Sequence, residues 1–157
     1  MTQKADIYIQ RALPNSPDNV FQVITKIEAD SIADGWSEAS FRSEALKSNG
    51  IVLYAVCNET VCGLITAYTA ADEADITNVA VSAEFRRKGI ASALLSEFES
   101  VLSTDISDIF LEVRNSNSSA IALYEKFGFV RIAVRKRFYS NPDEDAVIMK
   151  KKVGSLS

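Results

Sequence analysis

Histidine is absent from all 157 residues. With it go the commonest general base and the commonest zinc ligand, so a Ser-His-Asp triad and a Cys-His dyad are excluded on inventory alone. Only two cysteines occur, Cys57 and Cys62, too few for a disulfide framework. They fall in two apolar runs that read as neighbouring strands, with nothing nearby to activate a thiolate, and are read as reduced core-filling thiols. No apolar run approaches the ~18 residues of a membrane span, and no basic segment leads into an apolar one at the start. A cytoplasmic protein without a membrane partner is expected. Neither Gly-x4-Gly-Lys-Ser/Thr nor Gly-x-Gly-x-x-Gly is present, which argues against a P-loop and against a Rossmann dinucleotide site. Positive charge is not in excess: 17 Lys and Arg stand against 21 Asp and Glu. Non-specific nucleic-acid binding is not favoured at that balance, and no metal is expected.

What is present supports one domain over residues 1–153, with 154–157 a frayed tail; 47% apolar content suffices for a real core. Residues 5–11 alternate as a first strand. Pro14 to Asp18 is a turn leading into a helix with the stripe Val20, Val23, Ile24 and Ile27. Residues 30–35 are a polar connection, and Trp36-Ser37-Glu38 starts a second helix ending near Asn49-Gly50. Ile51–Cys57 and Val61–Thr69 flank Asn58-Glu59-Thr60 as a hairpin. The next strand is Ala74–Val81. A long helix follows, with Ile90, Leu94, Leu95, Phe98, Val101 and Leu102 on one face. Then come a strand at Ile109–Arg114, a helix at Ser116–Phe127 stopped by Gly128, and strands at Val130–Phe138 and Ala146–Lys152. The order β-α-α-β-β-β-α-β-α-β-β predicts an α/β fold: a mixed sheet with helices on both faces.

The most informative segment is Ile76 to Leu95. A β-branched strand turns through Arg86-Arg87-Lys88-Gly89 into the helix that begins Ile90-Ala91-Ser92. The first N–H groups of a helix have no internal partner and the macrodipole is positive there, so a strand turning through basic residues into a helix builds an anion site. Gly89 lets a ligand approach the backbone without a Cβ in the way. A phosphate or pyrophosphate is the expected ligand; a solvated basic turn is the plainer alternative.

Arg86-Arg87-Lys88-Gly89-Ile90-Ala91 resembles the Arg/Gln-x-x-Gly-x-Gly/Ala signature of GNAT-type N-acetyltransferases. The block from Phe110 to Phe129, with Glu112-Val113-Arg114 and Leu123-Tyr124-Glu125-Lys126-Phe127-Gly128-Phe129, resembles the second signature of one branch of that family. This is the RimI-like branch, whose members acetylate the N-terminal alanine of a small-subunit ribosomal protein. Trp36-Ser37 with Phe41, Asn78 to Val81, Arg135 to Tyr139 and Glu144 to Met149 add to the likeness, which covers roughly residues 30–150. Gly35, Thr77 and Phe138 depart from the branch's usual residues.

The resemblance implies the GNAT fold, with a central sheet splayed near Val79–Val81, and acetyl-coenzyme A as co-substrate. It places the pyrophosphate on Arg86, Arg87, Lys88, Gly89, Ile90, Ala91 and Ser92, and the pantetheine on the main chain of Val79, Ala80 and Val81. Asn117 either caps the next helix or touches the cofactor. Transfer needs a neutral amine, and an α-amine of pKa ~8 is mostly protonated at neutral pH. Glu112, breaking the apolar run Phe110-Leu111-Glu112-Val113, is the candidate base; on the residues alone, a strand glutamate paired with a neighbouring arginine is the plainer reading. Tyr124 is the candidate acid for the departing thiolate, or else a packed core tyrosine. Trp36 and Tyr139 would line the acceptor groove. Acidic Asp30, Asp34, Asp143, Glu144 and Asp145 would favour a basic residue behind the acceptor amine. The basic run Arg131, Arg135, Lys136 and Arg137 reads first as a solvated strand face. The expected partner is a protein N-terminus, ribosomal in this branch. Alternatives are a GNAT enzyme acting on a polyamine-like molecule or a lysine side chain, and a non-catalytic coenzyme-A module; Glu112 and Tyr124 together argue against the last.

Overall fold

The computed structural model describes residues 6–32, 35–140 and 142–153. Its elements are β1 (Ile7–Arg11), α1 (Asp18–Ser31), α2 (Glu38–Leu46), β2 (Gly50–Cys57), β3 (Thr60–Ala70), β4 (Glu73–Val81), a 3-10 turn (Ala83–Phe85), α3 (Ile90–Val101), β5 (Asp108–Arg114), α4 (Ser118–Lys126), β6 (Val130–Tyr139) and β7 (Glu144–Lys152). The seven strands form a mixed sheet in the order β1-β2-β3-β4-β5-β7-β6. β4 and β5 run parallel, while β1–β2, β5–β7 and β6–β7 are antiparallel. The chain divides into two compact units, Met1–Ala67 with Asn78–Val101, and Tyr68–Thr77 with Leu102–Ser157.

In the first unit every residue of β2 is buried, which explains why it reads as one apolar run rather than an alternating strand. The α1 and α2 residues Val20, Phe21, Ile24, Ile27 and Phe41 pack with Val52, Tyr54, Val56, Leu64 and Ala80 of the strands. The turn joining β2 to β3 has Asn58 at φ +49° and Glu59 at +68°, the two-residue geometry that suits the twist of a hairpin. Cys57 and Cys62 are free and buried. The Cys62 thiol donates to the Ala55 carbonyl at 3.6 Å, and burial, then the neighbouring Cys57, pushes it up to about 11, in keeping with a core role.

In the second unit β5 alternates: Ile109, Leu111 and Val113 are buried, and Asp108, Phe110, Glu112 and Arg114 lie on the half-exposed face. α4 closes on Gly128 at φ +98°. The Phe129 N–H reaches the Tyr124 carbonyl at 3.0 Å and the Gly128 N–H reaches that of Glu125 at 3.0 Å, the paired closure that brings the residue after the glycine back onto the last helical turn. β6 ends the sheet and all its residues except Tyr139 are exposed.

Several boundaries shift. α1 runs through Asp30 to Ser31, beyond the expected start of the polar connection, because the Ser31 hydroxyl and the Ile32 N–H bond back to Ile27 and Glu28. α2 stops at Leu46, and Gly50 opens β2 instead of closing the helix. Val101 is 37% exposed, off the buried face of α3 that holds Ile90, Leu94, Leu95 and Phe98. The β4–β5 ladder ends at Ile76–Leu111, just before Val79–Val81, where the splay was expected. Ala5, Asp34 and the tail 154–157 lie outside the described residues. Among the described residues no helix is long and apolar enough to cross a membrane.

Candidate functional site

The first unit carries the turn from β4 into α3. Arg87 and Gly89 are both left-handed, at φ +63° and +80°; that conformation is uncommon for a side chain such as arginine. Gly89 occupies the position before the helix, where it has no side chain with which to cap it. Its carbonyl accepts the first helical bond, from the Ala93 N–H at 3.0 Å. The N–H groups of Ile90, Ala91 and Ser92 therefore have no intrahelical acceptor. A Cβ built on Gly89 meets nothing within 4 Å, so the space in front of the helix end is open. Arg86, Arg87 and Lys88 are exposed around it. Arg86 Nε donates to the Val81 carbonyl at 3.3 Å and ties the turn to the end of β4. Exposed N–H groups, a positive helix end and three cations fit a pyrophosphate. Just before the turn, Ala80 is buried in the core, while Val79 and Val81 are half-buried.

The same unit holds a buried polar chain. Thr66 Oγ1 donates to Asn78 Oδ1 at 2.6 Å, and Asn78 Nδ2 donates to Glu28 Oε1 at 2.5 Å. The second Glu28 oxygen accepts the Trp36 N–H at 2.5 Å. Glu28 is fully buried, and that burial raises its pKa above the ordinary 4.5 against the opposing pull of the Trp36 and Asn78 hydrogen bonds. Trp36 packs on Phe41 with ring centroids 5.3 Å apart and stays half-buried. Neither Glu28 nor Thr66 was singled out from the sequence. A signal existed for Glu28: it follows Ile24 by four residues, on the stripe that faces the core.

The second unit gathers the titratable groups. Glu112 lies on the half-exposed face of β5, so it does not interrupt the buried alternation as the sequence suggested. Its side chain is 31% exposed and pairs with Arg135 at 3.4 Å. Tyr124 is buried, 5.8 Å from the Phe129 ring and edge-on to it. Burial, with a smaller push from Tyr139, moves its hydroxyl up to about 12. Tyr139 also rises to about 12, by burial first and then Glu112.

Arg114 organises this group. Its guanidinium lies 4.5 Å from the Tyr139 ring centroid and donates to the Pro142 and Ser140 carbonyls, each at 3.0 Å. It pairs with Glu144 at 3.3 Å, whose other oxygen accepts the Ser116 N–H at 2.5 Å. Glu144 is held below the usual carboxylate range chiefly by Ser116. Asn117 caps α4, accepting the Ala120 N–H at 3.2 Å. Asp145 accepts the Arg137 N–H at 2.9 Å and lies 3.9 Å from Lys136. Glu144 and Asp145 are thus held by the chain itself, which weakens the expectation that they select a basic acceptor residue; Asp30 and Asp143 are exposed. In the basic run, Arg131 and Arg135 likewise pair within the chain, with Glu125 at 4.0 Å and Glu112 at 3.4 Å. The Arg114 clamp went unread because its partners lie 26 to 30 residues away, beyond any local pattern.

Residues 20–129 match the acetyltransferase (GNAT) family. A Bacillus subtilis (strain 168) protein provisionally named a ribosomal protein bS18-alanine N-acetyltransferase is 35% identical over 129 residues, 80% of this chain and 85% of that protein. The crystal structure of the ribosomal-protein-S18-alanine N-acetyltransferase from Escherichia coli superposes with a TM-score of 0.84 at 28% identity, covering 97% of each chain. A GNAT family acetyltransferase from Elizabethkingia anophelis, crystallised with acetyl-CoA bound, has the same fold at a TM-score of 0.70 and 19% identity, covering 94% of this chain and 98% of that one.

Proposed function

Because the chain belongs to the acetyltransferase (GNAT) family, we propose that it transfers the acetyl group of acetyl-coenzyme A to the N-terminal α-amine of a protein, a ribosomal protein that begins with alanine. The observation that carries this reading is the likeness, over nearly the whole chain, to the Escherichia coli enzyme that acetylates ribosomal protein S18. The two units are read as parts of one catalytic domain, residues 1–153, since the family match runs through both.

In this reading the open end of α3 and Arg86 to Ser92 hold the pyrophosphate, and the main chain of Val79 to Val81 holds the pantetheine arm. When bound, the cofactor supplies an already activated thioester, so no acyl-enzyme is needed. Glu112, oriented by Arg135, takes the proton that the acceptor nitrogen must lose. Tyr124 keeps its proton at any working pH because burial holds the hydroxyl at about 12, so a proton is on hand for the departing sulfur. Packing against Phe129 fixes where that proton sits. Asn117 caps α4 through Oδ1, which leaves its amide nitrogen for a cofactor contact. Trp36 and Tyr139 are each assigned to acceptor binding, and a small first residue lets the amine approach in line.

The deciding assay is incubation with acetyl-coenzyme A and peptides that differ in their first two residues, read by mass. Alanine- and serine-initiated peptides should gain one acetyl group on the α-amine. Far faster turnover of spermidine-like amines or free lysine would replace this reading with that of a small-amine acetyltransferase.

A further inference from the structure

Glu28 is a fully buried carboxylate that takes no part in the chemistry above. Its two oxygens face in different directions along the chain. One holds the Trp36 main chain, eight residues on, in the segment between α1 and α2; the other holds Asn78, fifty residues on, in β4. Asn78 immediately precedes Val79–Val81, the stretch assigned to the cofactor, and is itself fixed from β3 by Thr66. Trp36 is the wall assigned to the acceptor. A single side chain thus ties one substrate's wall to the other substrate's strand, and all four residues lie in the first unit.

Gly35 and Trp36 fit closely around this carboxylate. A Cβ built on Gly35 would lie 2.8 Å from Glu28 Cγ and 3.4 Å from Oε2. Real Cβ atoms do not approach so closely, and a buried Glu28 has nowhere to withdraw. Glycine at position 35 therefore lets the Trp36 N–H settle onto the carboxylate.

We propose that Glu28 is a positioning residue that sets the acceptor slot, by fixing the Trp36 main chain against Asn78 on the cofactor strand. This rests on the acetyltransferase reading for the identity of the two substrates; the tie between the Trp36 segment and β4 does not. A carboxylate suits the task because it offers one acceptor oxygen to each N–H donor. Glutamine can reproduce the arrangement if Asn78 turns its amide over. Its oxygen then accepts from Trp36, its NH2 donates to Asn78 Oδ1, and Asn78 Nδ2 donates to the Thr66 hydroxyl. Alanine cannot reproduce it, and leaves the Trp36 N–H and the Asn78 amide nitrogen without the oxygens that accept from them.

Trp36 is the only tryptophan in the chain, so its fluorescence reports this segment alone. Parent, Glu28→Gln, Glu28→Ala and Gly35→Ala are compared for Trp36 emission, acrylamide quenching, acetyl-coenzyme A affinity by calorimetry, and acceptor-peptide KM. Glu28→Ala and Gly35→Ala should both shift Trp36 emission to the red, raise its quenching, and raise acceptor KM about tenfold or more. Cofactor affinity should stay within about twofold, and Glu28→Gln should restore parent-like fluorescence and KM. If Glu28→Ala does not fold, Gly35→Ala, an exposed position, decides alone. Parent-like fluorescence and KM in the alanine variants, or cofactor affinity falling in step with KM, would overturn the proposal. If the parent acetylates no peptide, the acetyltransfer reading fails by itself, and the fluorescence and quenching still decide whether Glu28 anchors the segment.

Discussion

Two turns lead from a strand into a helix, and they finish in opposite ways. β4 reaches α3 through a left-handed arginine and a left-handed glycine, and the residue before the helix has no side chain. β5 reaches α4 through Ser116 and Asn117, whose side chain caps the helix, while Glu144 covers the Ser116 N–H. The same unsatisfied donors exist at the start of both helices. In the second turn the chain satisfies those of Ser118 and Ala120; in the first, glycine leaves the helix end without a side-chain cap. The difference assigns separate duties: the first turn should control what binds, and the second, which follows Glu112 and precedes Tyr124, should control how fast the bound pair reacts.

The largest expected effect tests the second duty. Glu112→Gln and Tyr124→Phe should each lower kcat, by about 10²–10⁴-fold for a group that moves a proton in the transition state. Acetyl-coenzyme A affinity, read by calorimetry, should not follow. Because the Tyr124 hydroxyl is raised to about 12, it remains protonated far above neutrality. The parent's rate should climb as the acceptor amine deprotonates near pH ~8 and then stay level, with no falling limb from Tyr124 before the pH nears its raised value. Losses below about tenfold in both variants would mean that positioning, not proton transfer, carries the rate.

The next effect tests the first duty. Gly89→Asp places a β-carbon in a backbone conformation at φ +80° that side chains rarely adopt, and puts a negative charge in the open space before α3. Left-handed strain of roughly 1–2 kcal/mol and repulsion of a pyrophosphate should together weaken cofactor binding by about 10–100-fold. Binding as tight as the parent's would place the phosphate elsewhere and dissolve the contrast. The smallest effect sharpens it: Asn117→Ala removes a cap and should lower stability by about 1 kcal/mol, a fall of roughly 2–4 °C in Tm, with cofactor affinity nearly intact. A drop in affinity as large as that of Gly89→Asp would give Asn117 a ligand-binding role as well.

Local pattern made most of the fold legible. The β2–β3 hairpin follows from two apolar runs around Asn58-Glu59, and the alternation of β5 from Ile109, Leu111 and Val113. The α4 stop follows from Gly128, which sets Tyr124 in the last turn of the helix. Limits of the same logic appear where a residue answers to distant partners. Glu112 looked like a break in an apolar strand, yet its neighbours on that face are Phe110 and Arg114, and its charge partner comes from β6. Val101 kept the helical period but lies at the last residue of α3, where burial ends. The end of α1 was displaced by back-bonding at Ser31, and α2 ends early because Lys47 turns to extended backbone. Glu28 and the clamp made by Arg114 escaped notice because they depend on contacts made across long stretches of chain, which periodicity does not encode.

The last strand of the sheet, β6, bears on how the protein behaves in a crowd. An outermost strand offers unpaired backbone groups to any other extended chain, and Val130, Ile132 and Val134 on this one are 59%, 49% and 54% exposed, enough to invite such a stranger. The strand is nonetheless a poor template. Its register slips twice against β7, between Arg131 and Ala133 and again between Arg135 and Tyr139, and Arg137 sits left-handed in the second slip. Arg131, Arg135, Lys136 and Arg137 set like charges where an identical neighbour would have to lie. Bulges and cations on an open edge discourage runaway strand addition. The basic run near the end of the sequence therefore doubles as a guard against aggregation, whatever else it contacts.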